Sequence, residues 1–466
     1  MEKNTLDLVV AHAQSHPFLT AVVGVALLAT LATTPARIFG MGHARFWHST
    51  KSLRLKTKDG RVVSLADMCK SIVPPCRLHP LLFNGHLQTM WTVLTRENVP
   101  IYYKRRLFDH EDPLYTGQFA VDFVTAPYNR SDPSLPERTT YFTEEEFQDI
   151  ASDDNRPMLV MLHGLSGGSH ELYLRHVLEP LVGEGGWEAC VVISRGCSKT
   201  KITSSVLYNA RATWDIRQTV KWLQKTFPNR PLFGIGFSLG ANILTNYLGE
   251  EGSNCPLKAA VILSNPWDLE ASNLALMRPW FNRNVYAATM GKSMKRLFET
   301  HIEQVSKNPK IDVDLVRKGK YLRDFDRNVQ GPTWGYPTEG AYYRDASSID
   351  SALAIRIPFL AIHAEDDPVT ASEALPRQEV QQTPYGVLCT TPGGGHLSWF
   401  ELGSKRWFTR VTTPFFQKMA REIDLDAISR TEEDTEQLKG QISRSEREPL
   451  KPVFDPMRRK MHVPGQ

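Results

Sequence analysis

From residue 157 onward, short runs without charge alternate with longer stretches whose apolar positions recur at helical spacing. The uncharged runs are Met158-Leu159-Val160-Met161-Leu162, Ala189 to Ile193, Pro231 to Ile235, Ala259 to Leu263, Pro358 to Ile362 and Gly386 to Thr390. Between or after them, 171–184, 206–227, 239–250 and 405–423 read as helices; the second carries Trp214, Ile216, Val220, Trp222 and Leu223. Strands apolar on both sides, separated by amphipathic helices, predict a parallel sheet covered on both faces. Upstream, Gln118 to Val124 alternates as a half-exposed strand.

The rhythm is broken in several places. Residues 59–115 are mixed, with Pro74-Pro75 and Pro80 breaking any long helix, and 127–156 are rich in Pro, Asp and Glu, reading as a surface loop with an edge strand near Thr140. Residues 270–350 are helical and rich in Met, Trp, Phe and Tyr, where a lid inserted into the sheet would fit. The run 17–34 has no charged residue and reaches the lower edge of a bilayer span. Arg37, Arg45, Lys51 and Arg54 follow it, which predicts a membrane anchor with the body facing the cytosol. A cleaved signal peptide is the competing reading, but the run lacks a basic leader. The organisation read from the chain is an anchor and basic linker over 1–58, a main domain over 59–424 and a charged, disordered tail over 425–466.

A net charge of +4 on 466 residues is too mild and too dispersed to imply nucleic acid as a partner. The six cysteines show no C-x-x-C pairing and read as buried thiols. His163 and His170 lack a third ligand at suitable spacing, so neither a metal nor another cofactor is expected.

The chemistry enters at Gly236-Phe237-Ser238-Leu239-Gly240, which runs straight from an apolar strand into a helix. In that context G-x-S-x-G is a nucleophile elbow: Gly236 and Gly240 leave room for the turn, and the serine is left exposed at the sheet top. Gly164-Leu165-Ser166-Gly167-Gly168 has the same pattern but no helix directly behind it. A serine nucleophile needs a histidine base and a carboxylate, here in the chain order Ser, Asp/Glu, His. His396 follows three glycines at a strand end and is the expected base. Glu365, Asp366, Asp367 and Asp345 are candidate acids; Asp366 is preferred, with Asp367 read as capping the turn before Pro368. Leu165 N–H, after His163-Gly164, and Leu239 N–H are the expected oxyanion donors.

These residues carry a family resemblance. Asn84-Gly85-His86-Leu87-Gln88-Thr89, His163 to Gly168, Ser194-Arg195-Gly196-Cys197, Gly236 to Tyr247, Asn265 to Leu269, Asp366-Asp367-Pro368 and Gly394-Gly395-His396-Leu397 resemble the membrane-anchored subfamily of α/β-hydrolases. That subfamily holds phospholipase/esterase members and fungal medium-chain fatty-acid ethyl ester synthase/esterases. The resemblance spans roughly 75–420 and departs at Ser194, where the family often has Asn, and in the long acidic loop 127–156. It implies an α/β-hydrolase fold with a helical lid and a Ser238-Asp366-His396 triad. The expected activity is a serine esterase or lipase on medium-chain acyl esters, at an endoplasmic reticulum or lipid-droplet membrane. An acyltransferase from acyl-CoA to alcohol uses the same triad, and a non-catalytic binding protein is the competing reading of another class. Leu274, Met277, Trp280, Phe281, Tyr286, Met290 and Phe298 are candidates for an acyl-chain wall.

Overall fold

Valine, isoleucine and leucine dominate the uncharged runs, and β-branched side chains pack well on a pleated surface. The computed structural model describes residues 42–428, except 96, 113–114, 130–131, 184 and 404–405, together with 455–457. In it the runs form β7 (Met158–Leu162), β8 (Glu188–Ile193), β9 (Leu232–Phe237), β10 (Ala260–Leu263), β11 (Phe359–Ala364) and β12 (Gly386–Thr391). All six are parallel, in the order β12-β11-β10-β9-β7-β8, and nearly every residue in them is buried. Toward one edge the pairing turns antiparallel: β5 (Gln118–Thr125) pairs with β8 and β4 (Tyr102–Asp109) with β5, while the outermost β6 (Thr139–Tyr141) runs parallel to β4. At the far edge β1 (Arg45–Trp47) pairs antiparallel with β12.

Two groups of helices cover the sheet. One is α1 (Leu65–Ile72), α3 (Leu172–Val182) and α9 (Thr409–Arg421); the other is α4 (Trp214–Thr226) with α5 (Leu239–Glu251), which is buried along most of its length. Ahead of α3 lies α2 (Gly85–Leu94), capped by Asn84 Oδ1, which accepts from Leu87 N at 3.0 Å. After β10 the chain leaves the sheet and builds the lid. Its main helices are α6 (Leu269–Met277), α7 (Ala288–Thr300) and α8 (Glu339–Ala346), with π-helical turns at Asn282–Ala287 and Asp326–Gln330.

The stretch read as a linker up to residue 58 is in part structured. It contains β1 and β2 (Arg54–Lys56); β2 forms a hairpin with β3 (Val62–Ser64), and Thr57 bridges to Ile423. The 206–227 helix begins only at Trp214. β4 was hidden by its charges. Arg105 points inward, is fully buried, and grips Asp122 of β5 through two hydrogen bonds of 2.6 and 2.8 Å, so a buried ion pair takes the place of an apolar contact in this strand. The expected anchor, 17–34, and nearly all of the expected tail lie outside the described residues. Among the described residues no helix is long and apolar enough to cross a membrane.

Candidate active site

β9 delivers Ser238 at its end, and α5 begins at the next residue. Ser238 has φ 53° and ψ −120°, a backbone state that residues with side chains rarely adopt. The flanking glycines leave no room for anything larger. A Cβ on Gly236 would lie 2.6 Å from Ala241 Cα and Gly240 O, and one on Gly240 would lie 2.4 Å from the Leu162 and His163 carbonyl oxygens. The strained turn is thus imposed by close packing of β9, β7 and α5. Ser166 shares the positive φ, but among the described residues its hydroxyl meets only Ser293 Oγ, at 3.0 Å.

His396, on the loop after β12, bridges two groups: Nε2 lies 2.9 Å from Ser238 Oγ and Nδ1 lies 2.8 Å from an Asp367 carboxylate oxygen. The carboxylate partner is therefore Asp367, which corrects the choice of Asp366. β11 runs on to Ala364, two residues past the apolar run, and this shifts which acid faces the histidine. Asp367 is fully buried; Oδ1 accepts from Val369 N at 2.8 Å and Thr370 N at 3.0 Å, while Oδ2 accepts from Thr370 Oγ1 at 2.7 Å. Burial raises its pKa, but the charge of and hydrogen bond to His396, together with His363 and Thr370 N–H, outweigh it and hold the carboxyl below its ordinary value. The turn-capping contacts expected of Asp367 exist, and the same side chain also holds the histidine. Asp366 instead accepts from Gly395 N at 3.0 Å. Glu365 pairs with Arg45 and Thr390 by the sheet edge, and Asp345 accepts from Tyr336 Oη.

His163 is fully buried; Nδ1 donates to Gly164 O at 2.7 Å, and Nε2 accepts from Ser194 N at 3.0 Å. Burial pushes its pKa down to about 4, so it is a neutral structural residue. Because the contact uses the backbone N–H of Ser194, a serine there in place of asparagine leaves it intact. The amides on either side of Leu165 are taken by tyrosine hydroxyls: Gly164 N by Tyr173 and Ser166 N by Tyr208. Leu165 N–H between them, and Leu239 N–H in the first turn of α5, find no protein acceptor among the described residues. Both residues line the cavity at Ser238.

That cavity, of about 770 Å³ with its open mouth, lies between the sheet top and the lid. Leu276, Met290, Met294, Leu322 and Val369 supply apolar wall. Of the lid residues expected there, only Met290 lines it. Leu274 and Trp280 face solvent, Phe298 sits in the main core, and Phe281 and Tyr286 pack on His86. Other lining residues are polar: Asn209, Gln330 and Asp326. Asp326 accepts from Tyr343 Oη at 2.8 Å, and burial pushes its pKa up to about 7. Sequence reading missed these three, since each sits in a segment with no motif. Among the described residues no group of three metal-ligating side chains occurs.

Residues 157–401 match the family described as alpha/beta hydrolase fold. A monoacylglycerol lipase of Saccharomyces cerevisiae is 32% identical over 407 residues, covering 81% of this chain and 89% of that protein. Medium-chain fatty acid ethyl ester synthase/esterase 2 of the same yeast is 30% identical over 418 residues, covering 79% and 92%. Phospholipase ABHD3 of Mus musculus is 34% identical over 249 residues, covering 53% and 59%. Among solved structures, an esterase of Pyrococcus furiosus aligns with TM-score 0.41 and 17% identity, over 68% of this chain and 92% of that one.

Proposed function

Because the chain belongs to the alpha/beta hydrolase family, we propose that it is a serine hydrolase of acyl esters working through an acyl-enzyme on Ser238. One observation carries the reading: a continuous relay in which Asp367, His396 and Ser238 are joined by contacts of 2.8 and 2.9 Å. Asp367 keeps the Nδ1–H tautomer, so Nε2 is free to accept the serine proton as Oγ attacks the ester carbonyl. The carbonyl oxygen gains charge in the tetrahedral intermediate, and Leu165 N–H and Leu239 N–H are its donors, aided by the N-terminus of α5. Collapse breaks the ester C–O bond. His396 returns the proton to the leaving alcohol, and the acyl group stays on Ser238. Water then repeats the sequence and releases the acid.

The apolar wall suits a medium-length acyl chain, in keeping with the relative named a medium-chain ester synthase/esterase. That same name supports a second outcome, in which an alcohol resolves the acyl-enzyme and an ester forms. The test is to incubate purified protein with acyl esters and acyl-CoA of graded chain length, with and without ethanol, and quantify acid and ethyl ester. Acid release that disappears in Ser238→Ala supports the hydrolase reading; no turnover and no labelling by a fluorophosphonate would refute it.

A further inference from the structure

The loop that carries His396 is strained. Gly395, Leu397 and Trp399 have φ of 59°, 55° and 46°, so left-handed residues alternate through it and two of them carry large side chains. Such a conformation persists only where its surroundings over-determine it. Here the surroundings are largely α2, which holds the Gly85-His86-Leu87-Gln88-Thr89 stretch left without a role by the triad. Gln88 is fully buried; its Oε1 accepts from Phe400 N at 2.7 Å, and its Nε2 donates to Leu82 O at 2.8 Å and Phe400 O at 3.3 Å. Thr92 Oγ1 and Ser398 Oγ share a hydrogen bond of 2.8 Å, and Ser398 Oγ donates to His396 O at 2.8 Å.

The closest tie to the histidine is Thr89. Its hydroxyl donates to Gly85 O at 2.6 Å, which leaves an Oγ1 lone pair to accept from His396 N at 2.9 Å. Backbone contact is tight on both sides. A Cβ on Gly395 would lie 2.5 Å from Gly85 O, and one on Gly85 would lie 1.9 Å from Asp366 O. The helix therefore touches the histidine loop and the acid loop together.

We propose that Thr89 is a positioning residue for the general base: its hydroxyl fixes the His396 backbone so that the imidazole meets Ser238 and Asp367 at once. The proposal rests on the serine-hydrolase reading. Thr89 touches neither Ser238 nor the substrate cavity, and acts only through His396. Thr89→Val keeps the shape but removes the acceptor, leaving the His396 amide unpaired and free to pull the ring away. Misplacement on the scale of an ångström costs up to about 100-fold in rate.

The experiment measures kcat and KM on one soluble acyl ester, with thermal melting as a check of folding, for wild type, Thr89→Val, Thr89→Ala, Thr89→Ser and Thr95→Val. Folded Thr89→Val is expected to lose about 10- to 100-fold in kcat with KM little changed, and Thr89→Ser to recover most of it. Thr95→Val, which cuts a hydroxyl bond to Trp91 O at the end of the same helix and away from the His396 loop, is expected to stay near wild type. Should Thr89→Val not fold, Thr89→Ala carries the same expectation. Wild-type kcat in either folded variant, or an equal loss in Thr89→Ser, overturns the proposal. Failure of the hydrolase reading is seen separately, as wild type that neither turns over ester nor takes a fluorophosphonate at Ser238.

Discussion

Changing Asp367 to Asn removes a charge while preserving volume, and the hydrogen bonds around it dictate how the new amide must sit. Oδ1 of Asp367 accepts two backbone N–H groups, from Val369 and Thr370, and nothing but an oxygen can occupy that position. The amide NH2 is therefore forced into the place of Oδ2, facing Thr370 Oγ1 and His396 Nδ1. There it donates to Nδ1, which drives the imidazole proton to Nε2, and a protonated Nε2 cannot accept from Ser238. The equivalent change in a serine protease lowers kcat about 10⁴-fold, so a loss of about 10³- to 10⁴-fold is expected here, or about 4–5.5 kcal/mol of transition-state stabilisation. Asp366→Asn behaves differently, because its amide oxygen still accepts from Gly395 N; its kcat should stay within about tenfold of wild type. Steady-state kinetics on a chromogenic acyl ester, on samples matched by circular dichroism and melting temperature, decide the matter. The reverse ranking on folded protein would refute the reasoning.

Ser238→Ala should lose both turnover and fluorophosphonate labelling, whereas Ser166→Ala should keep both; gel fluorescence after probe treatment reads the difference. Gly240→Ala puts a Cβ 2.4 Å from two backbone oxygens of β7 and its loop, so a destabilisation of about 3 kcal/mol or more is expected in urea unfolding. Asp326 is raised from 3.8 to about 7 by burial. The folded state therefore holds its proton more tightly, and the stability this gives is full below pH 4 and lost as pH rises through about 7. Asp326→Asn should flatten that decline, with a gain over wild type at pH 8 of about 4 kcal/mol at most; melting temperatures from pH 5 to 8 that move in parallel would contradict it.

The alternation of uncharged runs and helices was enough to read the parallel sheet, because strands buried on both faces cannot hide their composition. Ser238 and His396 were legible for a related reason: the tight turn needs its glycines, and the histidine loop needs Gly393 to Gly395. The acid was not legible. Asp366 and Asp367 are neighbours, and which one faces His396 depends on a strand end that runs two residues beyond its apolar core. β1 and β4 escaped because edge and ion-paired strands carry charge, as at Arg45 and Arg105. The polar cavity residues escaped because Asn209, Asp326 and Gln330 meet only through the lid's path across the sheet.

The spread of the site along the chain also sets a timetable. Ser238 precedes His396 by 158 residues, and the Thr89 hydroxyl that receives the His396 amide precedes it by 307. At about 5–20 residues per second, a ribosome needs on the order of 10–30 s to pass from Ser238 to His396. During that interval Ser238 has no His396 to meet. α2 meanwhile waits with Gln88 lacking its two Phe400 contacts, and β1 has no strand to join until β12 is made. The stretch from β12 to Phe400 therefore closes the sheet edge, completes the pairing of Gln88 and brings His396 to Ser238, so three distant parts of the fold all wait on the same short run of chain.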